Sequence, residues 1–392
     1  MADTTAQAMT TLAHVNVPPA QTWNYLRIND IKLEVPKPDS KGDVPARLPE
    51  LFGRIPAGIG NEAVSWIEHM AGDSHYVEVP RGTVRQSPIV AVSTAETGDV
   101  ADTGVNVREG AEATVIMVSR TSNGPMVESS DVDESAKAPV DPATSVSANL
   151  MRINVERGAK LHVLEFVALD DAHTHIDGLG ISAAEGAEVD VRQYALGGAK
   201  VAMGLGVDLF GNSSRLQLDT RYFAHQKNVL DINHAVYQRG RLTRADIVSQ
   251  GLLADAAHKT MRETIDLQHG AKGSKGNETE TVLVEGDEVV NKTLPVILCD
   301  EDDVAGNHGA SIGSISPEQE IYLQDRGLSE DQITKLFARA IFDDAFIHAG
   351  SDEAIGAILD RAETVLGQDT AVDMSEGLGL SLDDIKSEED FD

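Results

Sequence analysis

The sequence predicts a mainly β protein in which a parallel β-helix, also called a β-solenoid, lies between two smaller regions. The first observation is a glycine followed by a short β-patterned run, which recurs seven times after residue 77. The second is the composition, because only 4% of the residues are aromatic and 34 are glycine. The third is a change to helical patterning after residue 313. Slim side chains and frequent glycines suit stacked strands better than a bulky helical core.

The repeat rests on seven glycines, which lie 28, 48, 28, 25, 29 and 30 residues apart. The fourth residue after a glycine is polar and the fifth is usually apolar, which is the alternation of a strand with one buried face. Such a repeat is typical of a solenoid, but an antiparallel sandwich also has short strands and glycine turns and remains open on spacing alone. The glycines are Gly82, Gly110, Gly158, Gly186, Gly211, Gly240 and Gly270, and the apolar residues are Val115, Val163, Val191, Leu216 and Ala245.

The β-helix core is predicted at residues 77–315, with the polar residues 121–145 as a loop inserted into one turn. Residues 1–76 are predicted to form a partly helical N-terminal domain with a short helix capped by Asn61. Because the end turns of a solenoid expose apolar faces and strand edges, we expect the flanking regions to cap them. The N-terminal apolar patch is Trp23, Tyr25, Leu26, Ile28, Ile31 and Leu33.

Residues 316–367 are predicted to form three short amphipathic helices, which make a small bundle or a docking platform. Ser316 and Ser329 each begin a capping box, and Ser351 starts the third helix. Residues 368–392 contain nine acidic residues and one lysine, which predicts a disordered, solvated tail. The apolar positions of the second helix include Ile333, Leu336, Phe337 and Ile341.

The charge and the cysteine count exclude several classes of protein. The formal net charge is −32, which argues against nucleic acid and anionic membranes as partners, since both select basic surfaces. The single cysteine, Cys299, excludes a disulfide framework and a four-thiolate cluster built by this chain alone. One cysteine also fits a reducing compartment, and no signal peptide or membrane span is predicted, so we expect a cytoplasmic protein.

The densest group of polar residues is CDEDDVAGNHGASIG, residues 299–313. Clustered carboxylates beside a histidine could bind a cation, could be the acids of a polysaccharide-cleaving enzyme, or could form a solvated turn. All three interpretations stay open on composition. The residues concerned are Asp300, Glu301, Asp302, Asp303 and His308.

Two weaker signals occur elsewhere in the chain. His173 and His175 would face one side of a strand, but no third metal ligand follows nearby, so a structural role is the simpler interpretation. The run HGAKGSKG, residues 269–276, lacks the spacing of a phosphate-binding loop and is interpreted as a β corner.

Beyond residue 260 the sequence resembles the SufB/SufD family of iron–sulfur cluster assembly proteins. The most specific pieces are DDVAGNHGASIG, residues 302–313, and EIYLQDRGLS, residues 320–329. VEVPRGTVRQSPI, residues 77–89, is similar to the first β-helix turn of the family, and RYFAH with HAVYQRG, ending at Gly240, is similar to its middle. The resemblance covers about residues 77–348.

The resemblance implies a right-handed parallel β-helix and a scaffold without catalytic activity of its own. It implies a SufB-like paralogue as partner, or a homodimer when the chain is alone. It also implies that a SufC-type ABC ATPase docks on the helices, for which we select Ile333, Leu336, Phe337 and Ile341. No cofactor is expected to be tightly bound by this chain alone, and a nascent iron–sulfur cluster is expected in the complex.

Within the family the chain looks most like SufD, because it is short and has one cysteine. The family histidine of the HGA motif corresponds to His308, which we predict lies at the cluster-assembly interface with Asp302 and Asp303 and is a candidate iron ligand. Many members have a cysteine two residues before this histidine, where this chain has Gly306. Thiolates would then come from the partner, and Cys299 is predicted to be a small buried side chain.

Two other functions compete with this scaffold. A β-helix enzyme acting on polysaccharides would use Asp300, Asp302 or Asp303, but it is disfavoured by the scarcity of aromatic residues for sugar stacking. The second competing function is a binding module that has the same β-helix fold but no role in cluster assembly. Iron and sulfide counts after anaerobic reconstitution separate that module from a scaffold.

Overall fold

The computed structural model of the chain describes residues 8–20, 27–29, 31–38, 45–122 and 146–377. Within these ranges, two eight-stranded parallel sheets form the solenoid. The odd-numbered sheet contains β3 (His75–Val79), β5 (Val100–Val107), β7 (Val146–Val155), β9 (Thr174–Ala183), β11 (Lys200–Leu209), β13 (Val229–Gln238), β15 (His258–Leu267) and β17 (Val290–Cys299). The even-numbered sheet contains β4 (Ile89–Thr94), β6 (Glu112–Arg120), β8 (Lys160–Ala168), β10 (Glu188–Gly197), β12 (Arg215–Ala224), β14 (Arg244–Ala254), β16 (Lys275–Glu285) and β18 (Ala305–Gly313).

The remaining elements lie before and after the solenoid. They are the antiparallel pair β1 (Met9–Ala13) and β2 (Lys32–Pro36), and the helices α1 (Asn61–Met70), α2 (Pro317–Gln324), α3 (Glu330–Ile347), α4 (Asp352–Leu366) and α5 (Gln368–Gly377). Each solenoid strand pairs with the strand two further along the chain, so the parallel β-solenoid is confirmed and the antiparallel sandwich is excluded. No helix in the described ranges is long and apolar enough to cross a bilayer.

At seven of the eight corners that precede the even-numbered strands, one residue lies in the left-handed region, two positions before the parallel register begins. Glycine occupies the first four of these corners, as predicted. The next three positions are Ser213, Leu242 and Gly273, with φ of 60°, 58° and 77°, so the alignment on Gly211, Gly240 and Gly270 was out of register there. Gly211 and Gly240 are needed for a different reason, since a Cβ would lie 2.0 Å and 2.2 Å from the backbone of the preceding turn.

The corrected register stacks inward-facing side chains in columns about 4.8 Å apart. Leu218 and Ile247, rather than Leu216 and Ala245, continue the column of Val115, Val163 and Val191. These columns, filled by valine, leucine, isoleucine and alanine, form the apolar core between the two sheets. Apolar burial of this kind is the main driving force for the fold.

A polar column runs beside the apolar ones through the buried interior. Because these side chains are shielded from water, they must hydrogen-bond one another. The Gln193 amide donates to Glu165 at 2.7 Å and Thr220 donates to Gln193 at 3.2 Å. Five buried residues share this column: Glu165, Gln193, Thr220, Ser249 and Glu280.

Charge in this interior is compensated locally. The Lys259 ammonium forms an ion pair with Glu280 and donates to the Thr293 hydroxyl at 3.0 Å. Glu280 also accepts a 2.7 Å hydrogen bond from Tyr222. Lys259 and Glu280 are therefore tolerated in the core as a connected pair.

The flanking regions cover the sides of the solenoid, so the prediction that they cap its ends was wrong. The N-terminal region packs on the outer face of the odd-numbered sheet, where the buried Arg262 guanidinium donates to Asp231 at 2.7 and 3.0 Å. Helices α3 and α4 pack on the outer face of the even-numbered sheet. Gly204 and Gly206 let residues 56–59 cross directly on the odd-numbered sheet, since a Cβ would lie within 2.5 Å of that backbone.

The predicted helices are confirmed with small differences at their ends. Ser316 and Ser329 both form complete capping boxes, Ser351 caps α4 and Gly367 ends it. The N-cap of α1 is Gly60 rather than Asn61. The prediction that the tail begins at residue 368 was wrong, because α5 packs on α4 with Ala371 and Met374 buried. Residues 378–392, the apolar residues Trp23, Tyr25 and Leu26, and residues 123–145 of the predicted loop lie outside the described residues.

Replacing Lys259 by methionine is expected to destabilise the protein by about 3–5 kcal/mol, because the buried carboxylate of Glu280 would lose its counter-ion. The double variant Lys259→Met/Glu280→Gln should recover most of this loss, since no charge stays buried. Chemical denaturation of both variants and the wild type measures the difference. Equal stabilities for the single and double variants would contradict the local compensation.

The His175–Asp177 pair gives a second prediction. Burial raises the pKa of Asp177 to about 7 and lowers the pKa of His175 to about 4. Between pH 4 and 6.5 Asp177 therefore makes stability fall with rising pH, while His175 makes it rise, and the two effects oppose each other. Asp177→Asn should gain stability relative to the wild type as the pH rises, by at most about 1.4 kcal/mol per pH unit. Denaturation at pH 4.5, 5.5 and 6.5 tests this, and a difference independent of pH would refute it.

Candidate functional site

The candidate site is the end of the solenoid formed by β17 and β18. Strand β18 pairs with β16 from Lys275↔Ala305 to Leu283↔Gly313 and is the outermost strand of its sheet. All nine of its residues are exposed, and the residues of β17 are at most half-buried. Within the described part of the chain this end is uncovered, so the inward-facing columns open to the surroundings.

His308 occupies the last position of an inward-facing column. The register places it directly after Glu278, which in turn follows Ile247 and Leu218. Since residues at one register position share a face of the sheet, the imidazole lies at the open end of the solenoid interior. His308 was predicted from the HGA motif. Because this motif lies in the outermost strand of its sheet, the structure places the histidine at the open end.

Glu278 is the residue of this site that the sequence analysis missed. Its side chain is 2% exposed and its Oε2 atom has no hydrogen-bond partner among the described residues. Burial, reinforced by the charge of Glu263, raises the pKa of Glu278 to about 10. Glu278 is thus a neutral carboxylic acid at pH 7, one strand beneath His308. The sequence signal that could have identified Glu278 is the alternating run NETETV, residues 277–282, because its glutamates take the inward positions of a strand.

Glu263 links this acid to the polar interior. It accepts a 2.6 Å hydrogen bond from the Ser249 hydroxyl and lies 3.3 Å from the His234 ring nitrogen Nδ1. The charge of Glu263 is one of the causes that raise the pKa of Glu278, as expected for neighbouring buried carboxyl groups. The open end therefore has an imidazole at its surface and the protonated Glu278 beneath it.

Asp302 and Asp303 lie at the corner between β17 and β18 rather than beside His308. The Asp303 carboxylate is 3.9 Å from the Lys272 ammonium, and its backbone carbonyl accepts from Gly273 at 2.6 Å. The Asp302 amide donates to the Glu301 carboxylate at 3.1 Å. Both aspartates thus shape and charge the rim of this end, and their part in cluster assembly stays a prediction.

Cys299 ends β17 at the same corner. The thiol donates to the Glu301 carbonyl at 3.3 Å and is exposed, so the prediction of a buried side chain was wrong. Gly306 occupies an inward column two residues before His308, where an added Cβ would lie 3.1 Å from Ile297. The inward face of β18 therefore carries an imidazole and no thiol.

The other sequence candidates have structural roles. His175 hydrogen-bonds with Ser147 at 2.8 Å and Ser119 at 3.0 Å inside the solenoid, while His173 pairs with Asp170 at 2.6 Å. Residues 269–276 form a β corner, as predicted. Among the described residues, no group of three or more histidine, cysteine, aspartate or glutamate side chains is arranged to hold a metal ion.

The helical surface differs from the predicted docking set. Leu336 is 49% and Phe337 is 37% exposed, but Ile333 is buried and Ile341 packs against the solenoid. Three exposed apolar residues nearby were missed because helical spacing alone does not tell which face is covered. They are Ile321, Tyr322 and Ile347.

The helices are fixed to the solenoid by a buried guanidinium. Arg361 of α4 donates to Asp171 at 2.7 and 3.2 Å and to the Leu196 carbonyl at 3.1 Å. Burial alone would raise the pKa of Asp171, but hydrogen bonds from His225 and Arg361 hold it well below its usual range. Gly197 leaves room for this contact, since a Cβ would lie 2.3 Å from the Arg361 Nε atom. Helix α4 and the solenoid therefore form one connected unit.

Comparison with known proteins agrees with this architecture. The family described as SUF system FeS cluster assembly, SufBD core domain, matches residues 90–341, which is more than half of the chain. The iron–sulfur cluster assembly protein SufD of Escherichia coli is 22% identical over 280 residues, covering 70% of this chain and 62% of the relative. SufD of Bacillus subtilis is 24% identical over 129 residues, covering 33% of this chain and 30% of the relative.

Other relatives carry the broader family name. A SufBD family protein of Methanocaldococcus jannaschii is 26% identical over 129 residues, covering 33% of this chain and 40% of the relative. A chloroplastic SufBD family protein of Arabidopsis thaliana is 20% identical over 301 residues, 74% of this chain and 51% of the relative. The chain thus spans between about a third and three fifths of these curated relatives. With the matched core domain and the parallel solenoid that carries His308, the chain belongs to the SufB/SufD family of iron–sulfur cluster assembly proteins and is SufD-like.

Proposed function

We propose that the chain is a scaffold subunit on which a nascent iron–sulfur cluster is built at the β17–β18 end. The observation that carries this proposal is the position of His308, at the end of an inward column and above the protonated Glu278. A neutral imidazole is a good ligand for iron. The carboxylic acid beneath it can hold or release a proton as sulfide and iron arrive.

The partner at this end is a SufB-like paralogue, or a second copy when the chain is alone. The outer edge of β18 extends over nine residues without a strand partner in the described chain. A free strand edge of this length pairs readily with another strand, and a natural protein normally covers it. Because Cys299 is the single thiol and lies at the corner, the partner supplies the thiolates of the cluster.

A SufC-type ABC ATPase docks on the helices. Leu336 and Phe337 present exposed apolar side chains on α3, while Ile347 extends the surface to the end of the same helix. Exposed apolar groups on a strongly acidic protein mark a contact surface. Arg361 ties the neighbouring helix to the solenoid, so a movement of the ATPase would be transmitted to the strands.

The chain acts in this proposal without catalysing a reaction by itself and without a resident cofactor, since the cluster is its cargo. The cytoplasm is its compartment, in line with the single cysteine. Anaerobic reconstitution with a SufB-like protein and the ATPase, followed by visible absorption and by iron and sulfide counts, tests the proposal as a whole. A complex that assembles as much cluster without this chain would refute it.

His308→Ala should lower the cluster yield of the reconstituted complex by about tenfold or more, the loss typical of removing a group that positions a metal. Its stability should stay within about 0.5 kcal/mol of the wild type, because the side chain is exposed. His162→Ala is the matched control, since that histidine is exposed on the outer face of β8. A normal yield for His308→Ala, or an equal loss for the control, would contradict the assigned role.

Leu336→Asp/Phe337→Asp should weaken co-purification with the ATPase by at least about tenfold, because two apolar contacts become charged. Leu51→Asp, which changes an exposed apolar residue of the N-terminal region, is the control. Pull-down of the full-length variants with the tagged ATPase gives the measurement. Undiminished binding of the double variant would place the docking surface elsewhere.

A further inference from the structure

One corner of the solenoid exposes a leucine in a backbone conformation that leucine avoids. Leu242 has a φ of 58° and is 60% exposed. The first four equivalent corners use glycine, which adopts this conformation without strain. A bulky residue in the left-handed region is an outlier, and such outliers cluster at functional surfaces.

Four cations lie near this leucine, with Glu188 at the register position of Arg215 and Asp246 two residues beyond Arg244. Arg215, Arg244 and Lys275 stack at one register position on three successive strands, and Arg241 precedes Leu242 at the corner. All four are exposed, and none forms an ion pair within the described residues, whereas Arg239 nearby pairs with Asp208. We call Arg215, Arg241, Leu242, Arg244, Lys275 and the exposed Phe210 the basic corner.

Four cations without an ion pair among the described residues are unexpected on a chain with a net charge of −32. Most other cations near these corners are paired, for example Lys160 with Glu188 at 3.4 Å and Arg108 with Glu156 at 3.1 Å. The loose contact of Lys272 with Asp303, at 3.9 Å, lies at the edge of the basic corner. The arrangement therefore fits a ligand that brings several carboxylates together with apolar side chains.

The chain itself contains such a segment in residues 378–392, LGLSLDDIKSEEDFD. Six of these residues are acidic and one is a lysine, and apolar residues are interspersed among them. Fifteen residues reach about 50 Å when extended, which exceeds the roughly 33 Å length of a ten-residue strand. Since α5 ends at Gly377 on helices that cover the even-numbered sheet, the segment is long enough to reach the start of the even-numbered strands.

We propose that residues 378–392 dock on the basic corner, with their carboxylates on the stacked cations and an apolar side chain against Leu242. The contact is intramolecular or is made to a second copy, and the chemistry is the same in both cases. This inference concerns the outer face of the solenoid, whereas His308 lies in an inward-facing column of the neighbouring strand, and it does not depend on the cluster-assembly proposal.

Carbodiimide cross-linking of the full-length protein tests the contact, because it joins a lysine amine to a carboxylate that touches it. Lys275 should link to Asp383, Asp384 or the acids of residues 388–392, as read by mass spectrometry. Arg241→Glu/Arg244→Glu should lower this yield by about fivefold to tenfold, since each exposed charge pair contributes modestly. Salt of about 1 M should have a similar effect. Lys227→Glu, an exposed change at the opposite corner, should leave the yield unchanged.

Leu242→Gly separates docking from folding. Glycine relieves the strained corner, so the variant should melt no lower than the wild type, yet its cross-linking yield should fall at least about twofold. Links from Lys275 only to carboxylates of the folded solenoid would overturn the proposal. So would tail links that survive the charge reversal, or protection of Lys275 by a short RNA while no tail link forms.

Discussion

Parallel stacking at one strand spacing is the constraint on which the rest of the structure depends. Every inward side chain must fit between its counterparts about 4.8 Å before and after it, so a change at one position is felt by two neighbours. Apolar columns satisfy this easily. A polar residue in a column must instead find its partner within the stack, as Gln193 does between Glu165 and Thr220. The interior is thus a set of continuous columns, and their last members are exposed wherever the stack ends.

The site at the β17–β18 end follows from this constraint. A stack that ends without a cap leaves its final inward residues, including His308, accessible, while the residue beneath stays buried and cannot ionise freely. Glu278 keeps its proton for that reason. The parts of the flanking regions that the structure describes leave this end uncovered because they lie along the sides, held by Arg262 on one sheet and by Arg361 on the other. Among the described residues, coverage of the sides leaves the strand edge of β18 exposed.

The period-2 alternation and the capping boxes were enough to predict the parallel solenoid and the helices, because both depend on local spacing. The register was not predictable, since Gly211 and Gly240 serve the close approach of two turns while Ser213 and Leu242 take the left-handed positions. Which helical side chains are buried also depends on contacts between segments that are far apart in the sequence, and helical spacing does not reveal these contacts. Ile333 is buried for this reason. The motif resemblance predicted His308 as a site residue, whereas Glu278 could be recognised only from the strand register.

The scarcity of thiols can be understood in the same terms. A cysteine in the last inward position would place a thiolate above a protonated acid, and each would perturb the proton of the other. With Gly306 and His308 on the inward face, the end presents an imidazole and a position without a side chain. The exposed Cys299 lies at the rim, at the same corner as Glu301, Asp302 and Asp303. The proposal of a shared site, in which a partner brings the thiolates and this chain brings the imidazole, rests on this difference between the inward face of β18 and the position of Cys299.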